Sequence, residues 1–326
     1  MLRRETGSHS LSAYRGISEE ANQWVMQSLS GHCKDSDAIH SYEDCSLGAF
    51  EEAKRQGKKC IYDMPIGYYK AWQELEKELY KKYPDWFPDD MVKDHYYPDN
   101  IQQRKSRELQ LADLVLVPSQ FVKSTCEKYT DREIRICQYG VDLERFKYNK
   151  EKPLSGKMRF LYAGHLSVRK GTPLLLQAWQ KADLKNAELL LAGSWHLSGS
   201  KKRELPGGVK YLGHLDWQSL QEIYRQADVF VFPSYFEGFG LVITEAMASG
   251  LPVIASESTI APEIVNDTCG YVFESGDIDN LVDSLCWFSN NRDKIPAMSN
   301  AARNMVEKAG WDTYRKQLYE TVSELI

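Results

Sequence analysis

The chain has 326 residues, 42% apolar and 27% charged, which suits two globular domains at roughly 100–200 residues each. With 41 Lys plus Arg against 46 Asp plus Glu, its formal charge of −5 lacks the basic excess of a nucleic-acid binder. No apolar run approaches the roughly 18–20 residues that cross a bilayer, and the opening MLRRETGSHS has no apolar stretch behind its arginines, so no secretory leader is expected.

In chain order, Ile17–Leu29 reads as a helix with Ser18 as its N-cap, and no strand followed by a glycine turn opens the first 36 residues. Short β-rich runs then alternate with helix-length segments. The first predicted strands are Asp37–Tyr42, Lys59–Met64, Asp113–Pro118 and Glu133–Tyr139, with helices at Leu47–Gln56 and Pro118–Tyr129. Between them, Lys70–Tyr83 carries Trp72, Leu75, Leu79 and Tyr83 on one helical face, a core-facing stripe opposite mixed charges. Pro84–Pro98 reads as a loop. Strands resume at Met158–Ala163, Ala187–Gly193, Val209–Leu212, Asp228–Pro233, Pro252–Ser256 and Gly270–Phe273. Apolar, non-alternating strands separated by helices describe parallel sheets covered on both faces, an α/β fold. The polar stretch 149–157 is the expected seam between an N-terminal unit (1–150) and a C-terminal one (151–308). The last segment (309–326) reads as a helix whose apolar face, Trp311, Leu318 and Val322, packs back on the N-terminal unit. Seven scattered cysteines without a C-x-x-C pair point to a reducing, cytoplasmic setting and away from disulfides or a zinc knuckle.

Two segments carry patterns suited to chemistry. Residues 228–256 place a buried strand before a loop with Gly238 and Gly240 and a helix opening near Leu241. Ligands of open α/β sheets bind at strand carboxyl ends against helix N-termini, where unpaired amides hold phosphate oxygens. Glu237 in the loop and Glu245 one turn into the helix can face one crevice, a way to hold sugar or ribose hydroxyls; taken alone they also fit surface positions. The second segment is the turn 163–172, AGHLSVRKGT, between the strand Met158–Ala163 and a helix at Pro173–Gln180. Lys170 projects from it toward the strand ends, where an ammonium can neutralise a diphosphate leaving group without a metal; the bland reading is a solvated loop lysine.

Taken together, these blocks resemble the retaining nucleotide-sugar glycosyltransferases of family 4 (glycosyl transferases group 1). Four runs carry the resemblance: 237–253 with its E-x7-E pattern, the turn with Lys170-Gly171, 261–277 (APEIV, CGYVF, GD), and 112–119 with 139–146 (YGVDLERF). The family implies a GT-B fold, two facing Rossmann-like domains. By the same resemblance Glu237 meets donor-sugar hydroxyls together with the amides of Phe239 and Gly240, while Gly238 lies in the same loop. Leu241 and Val242 amides face the diphosphate and Glu245 the ribose. Lys170 sits on the phosphates with Gly164 and His165 of its turn, and Gly193, Gly213 and His214 lie where the nucleobase goes. Lys170, Arg169 and Glu237 form the implied catalytic set for same-face transfer, with no metal and no separate cofactor. The donor is a UDP- or GDP-sugar and the acceptor a glycan, lipid-linked or small-molecule hydroxyl, with peripheral membrane association and oligomerisation left open.

The sequence also departs from the family. His165 stands where the glycine turn carries an arginine, so one phosphate ligand is missing or replaced by Arg169. The strand at 59–64 runs into Asp63-Met64-Pro65-Ile66-Gly67 without the family's histidine. His40 and Asp63 are the acceptor-side candidates, with a structural or solvent role for His40 as the alternative; His9, His95 and His196 read as structural. The family's first strands are not recognisable, which predicts a shortened N-terminal unit with an uncovered apolar sheet face or edge. A non-catalytic nucleotide-sugar-binding subunit and a sugar-nucleotide epimerase or hydrolase are the rival readings.

Overall fold

Two all-parallel sheets form the framework of the computed structural model, which describes residues 36–88, 99–150 and 156–326. The expected helix Ile17–Leu29, His9, His95 and the loop segment 89–98 lie outside the described residues. The first sheet runs β1 (Ala38–Tyr42), β2 (Lys59–Asp63), β3 (Leu114–Val117), β4 (Glu133–Ile136), in that spatial order. Its helices are α1 (Leu47–Arg55), α2 (Tyr69–Lys82), α3 (Asp99–Leu111) and α4 (Gln120–Cys126). The second sheet comprises β5 (Met158–Ala163), β6 (Ala187–Ala192), β7 (Val209–Gly213), β8 (Val229–Phe232), β9 (Val253–Ser256) and β10 (Gly270–Phe273). Its spatial order is β10-β9-β8-β5-β6-β7. Helices α5 (Thr172–Ala182), α6 (Gly199–Arg203), α7 (Trp217–Gln226), α8 (Leu241–Ala248), α9 (Ala261–Ile264), α10 (Ile278–Asn290) and α11 (Ile295–Val306) accompany it, and α12 (Trp311–Ser323) follows. This is the doubly wound order, and the winding reverses between β5 and β8, where strand ends open a crevice.

The strands read as continuous apolar runs because they are covered on both sides. Every residue of β3, β6, β8 and β9 is buried. On one face of the first sheet, Tyr62, Val115 and Val117 pack with Phe50 and Ala53 of α1 and Val122 of α4. On the other, Ile61, Leu114 and Leu116 pack with Leu318, Val322 and Leu325 from the C-terminal helix and its end. The apolar face expected to stand uncovered is therefore occupied by α12; what opens to solvent is the edge strand β1, where Tyr42 is 52% exposed. The six cysteines among the described residues are unbridged.

Trp311 packs on the first unit as expected, stacked on Tyr139 with ring centroids 6.5 Å apart, while staying 38% exposed. Two expectations change in detail. A short 3₁₀ turn, Pro84–Trp86, opens the predicted loop. The stripe on α2 does face a core, but that of the other unit. Leu79, Tyr83 and then Phe87 are buried in the cluster built on β5–β10, and the Tyr83 and Tyr235 hydroxyls meet at 2.9 Å.

The chain's return to the first sheet is fixed by backbone contacts. Val141 N–H donates to Ala309 O at 2.8 Å, and Gln317 Nε2 donates to Ile136 O at 3.0 Å. Gly140 faces this crossing so closely that a Cβ there would lie 2.5 Å from Trp311 backbone. Replacing Gly140 with Ala should therefore cost about 1–3 kcal/mol, the usual range for overpacking. It should lower the thermal midpoint and speed proteolysis near 309–326; an unchanged midpoint would show that the crossing has slack.

Candidate active site

Glycines step across the carboxyl ends of β5, β6 and β7. Gly164 N–H donates to Ala192 O at 2.9 Å, and Gly193 N–H to Gly213 O at 2.8 Å. Gly164 and Gly193 both have positive φ (141° and 140°), and a Cβ at Gly193 would fall 1.8 Å from Gly164 O. Only glycine lets these turns stack. The second close approach joins β5 to β8: Gly171 (φ 73°) would place a Cβ 1.8 Å from Pro233 O. That contact sets the turn after β5 against the loop after β8.

Across this junction Lys170 Nζ forms an ion pair with Glu237 Oε2, the two side chains 11% and 13% exposed. Burial drives the lysine pKa down, the Glu237 carboxylate opposes this, and the neighbouring Arg169 adds to the lowering. Glu237 Oε1 also accepts from Gly238 N–H at 3.1 Å. Arg169 Nη1 donates to Phe236 O at 3.1 Å. The sequence assigned Lys170 to phosphates and Glu237 to sugar hydroxyls; the fold makes them partners.

The first sheet's unit holds this loop from the opposite side. Ser119, the N-cap of α4, donates to Gly238 O at 2.6 Å. A Cβ at Gly238 would lie 1.8 Å from Pro65 O, and one at Gly67 would lie 2.4 Å from the Phe236 ring. Phe239 packs on Tyr139 at 5.4 Å. Helix α8 then starts from Gly240 (φ 86°), with Leu241 39% exposed beside Val242. Glu245 has a different set of neighbours from Glu237. Tyr224 O–H donates to its Oε2 at 3.2 Å, and burial raises its pKa against that hydrogen bond and the charge of Arg145.

A cavity of about 400 Å³ lies between the units. His165, Arg169 and His196 line it from the second sheet, and Glu43, Lys105, Trp72 and Glu76 from the first. His165 Nδ1 lies 3.0 Å from His196 Nε2. Burial, then the charges of His196, Lys170, Arg169 and His214, hold the His165 pKa below its ordinary value. His196, read from the sequence as structural, has His165 as its ring partner; its signal in the sequence was its place just beyond Gly193, on the strand next to the one that ends in Gly164-His165. Glu43, Glu76 and Lys105 were missed because each sits in an ordinary charged pattern. The Glu43 side chain is 6% exposed and 3.0 Å from Lys105 Nζ; burial pushes its pKa up to about 7 despite that ammonium. Burial likewise lifts Glu76 to about 7, against Trp72 and Arg169. His40 Nε2 meets the buried Asp63 Oδ2 at 3.1 Å, and neither residue lines this cavity. A second cavity of about 550 Å³ lies on the other side of Phe236, between α2, α4 and the loops after β8, β9 and β10. Among the described residues, no group of three or more His, Cys, Asp or Glu could hold a metal ion.

Residues 144–305 match the family described as Glycosyl transferases group 1, spanning the glycine turn, the Lys170–Glu237 pair and Glu245. Among curated proteins, the chain is 30% identical over 222 residues to the sulfoquinovosyl transferase SQD2 of Arabidopsis thaliana, covering 61% of this chain and 42% of that protein. It is 38% identical over 132 residues to O-antigen chain mannosyltransferase B of Escherichia coli, covering 37% and 34%. The chain thus spans less than half the length of these relatives. Sucrose-phosphate synthase from Thermosynechococcus elongatus superposes with a TM-score of 0.71 at 20% identity, over 95% of this chain and 79% of that one. Anabaena Alr3699/HepE in complex with UDP gives 0.70 at 17%, over 93% and 82%. The fold is GT-B, and no helix among the described residues is long and apolar enough to cross a membrane.

The buried Glu43 gives the fold a testable pH dependence. A carboxyl held at about 7 keeps its proton in the folded chain above the ordinary value of 4.5, where the unfolded chain has lost it. Its stabilising share is full below the unfolded pKa and lost as pH rises through about 7. Urea midpoints should fall between about pH 5 and pH 8, and Glu43→Gln should flatten that slope. Equal slopes in both proteins would remove Glu43 as the source.

Proposed function

We propose that the chain transfers a sugar from a nucleoside-diphosphate donor, UDP- or GDP-linked, to an acceptor hydroxyl with retention of anomeric configuration, without a metal ion, as a family 4 enzyme of glycoconjugate or polysaccharide synthesis. The observation that carries this reading is the Lys170–Glu237 pair at the β5/β8 switch point, inside the segment matched to the group 1 glycosyltransferases and beside a cavity shared by both units. Support for the donor class comes from the neighbour described in complex with UDP and from a GDP-mannose-dependent mannosyltransferase of Corynebacterium glutamicum, 35% identical over 158 residues.

In this mechanism donor binding separates the ion pair. A sugar hydroxyl takes the place of the ammonium on Glu237, and Lys170 turns to the diphosphate. Glu245 and the amides of residues 241–242 complete the donor site, with His165, Gly164, Gly193, Gly213 and His214 toward the nucleotide. Negative charge grows on the departing diphosphate in the transition state, and a preorganised cation there acts on the barrier itself. The acceptor enters from the first sheet's side, through the cavity lined by Trp72 and Glu43. The protein works in the cytoplasm, at or near a membrane surface when its acceptor is lipid-linked.

Incubation with a panel of UDP- and GDP-sugars, following nucleotide release with and without acceptors, tests the reaction class. Release that increases with an acceptor is the expected result; donor binding with no transfer to any acceptor would favour a binding subunit. Turnover should survive EDTA, and loss on chelation restored by Mg²⁺ or Mn²⁺ would overturn the metal-free mechanism. Lys170→Ala should lower turnover about 10²–10³-fold with a smaller change in donor affinity. Glu245→Ala should instead raise donor KM more than it lowers kcat, since the ribose changes little during reaction. Single-turnover rates at saturating donor separate the two, and parent-level transfer by folded Lys170→Ala would break the leaving-group assignment.

A further inference from the structure

We propose that His165 and His196 act together as a proton-sharing clamp for the donor diphosphate, His196 being a binding residue supplied by the strand beside the glycine turn. This rests on the nucleotide-sugar reading above and names how that site meets the second phosphate charge. The two rings lie side by side, Nδ1 of His165 at 3.0 Å from Nε2 of His196 and centroids 4.8 Å apart. At this spacing one ring donates and the other accepts, so the facing nitrogens share one proton between them. Two imidazoliums would set like charges against each other at the same distance.

The surroundings decide the resting charge. From the same turn come Arg169 and Lys170, and from the end of β7 comes His214; each disfavours a proton on His165. Across the cavity stand Glu43, Lys105 and Glu76. Lys170 is neutralised by Glu237, and Lys105 by Asp44 at 2.9 Å. Glu43 and Glu76 are themselves lifted to about 7, so the far wall offers little fixed negative charge. With Lys170 paired to Glu237, Arg169 is the guanidinium this wall offers a diphosphate at first contact, and the histidines can supply a second positive charge. A diphosphate diester brings two negative charges, reverses the local field and raises the imidazole pKa, so binding draws in a proton. Both histidines are exposed, so a ligand reaches them without unfolding their turns.

The test uses UDP-glucose and GDP-mannose, whose diphosphate esters carry constant charge near neutrality. Titration calorimetry in buffers of different ionisation enthalpy counts protons taken up on binding. Uptake approaching one proton is expected, with affinity weakening about tenfold from about pH 6 to about pH 8. His196→Gln should lose the uptake. His165→Arg, which fixes a positive charge, should bind with a Kd that no longer depends on pH. Nucleotide-sugar binding with no proton uptake and a flat pH profile in the parent protein would overturn the clamp while leaving the donor reading intact. Failure of both nucleotide sugars to bind at any pH would overturn the donor reading and the clamp with it. Retained uptake in a folded His196→Gln would overturn the role of His196.

Discussion

Gly171 sits so close to the carbonyl of Pro233 that any side chain would lie 1.8 Å from the oxygen, and this contact sets the geometry around it. It locks the turn after β5 onto the end of β8 at the point where the winding of the second sheet reverses. A lysine one residue before the glycine is thereby carried to a glutamate that follows β8. The pair is shielded from water on both sides, so its attraction is strong but costly to leave uncompensated. A ligand that offers each partner a substitute, an anion for the ammonium and hydroxyls for the carboxylate, can replace the pair without stranding either charge.

The second constraint is the seam between the two sheets. Leu79, Tyr83 and Phe87 leave the first unit and enter the second unit's core, while α12 makes the opposite crossing with Leu318 and Val322. Polar contacts align the loops between these anchors: Ser119 to Gly238, Gln120 N–H to Glu263 Oε1 at 2.8 Å, and Gln138 to the other oxygen of Glu263 at 2.8 Å. Opening the crevice for a substrate must slide Gly238 away from Pro65 and Phe236 away from Gly67, both now in contact through positions that only glycine permits. The site and the interface are therefore one mechanical unit. A change at either wall is felt at the other.

Much of this was legible from one dimension of information. The strands at 158–163 and 270–273 fall where the apolar runs end, and the other eight differ by a few terminal residues. Burial on both faces leaves an apolar run whatever the neighbour is. The glycine turn and the E-x7-E block were equally visible, because close backbone approach demands glycine and leaves a pattern in sequence. Less legible were Glu43, Glu76 and Lys105. A charged side chain at the mouth of a cavity uses the same letters as one on a solvated helix, and only its burial distinguishes them.

By itself, then, the sequence determined the alternation of strand and helix, the parallel pairing that it implies, and the places where backbones pass too closely for a side chain. Local periodicity and steric demand are written in neighbouring residues. It did not determine that the α2 stripe serves the other unit's core, that Lys170 and Glu237 neutralise one another, or that His196 meets His165 at 3.0 Å. Those contacts join residues from 31 to 67 or more positions apart. They depend on which strand lies beside which, and that order is chosen by the packing of whole sheets and helices rather than by any segment alone.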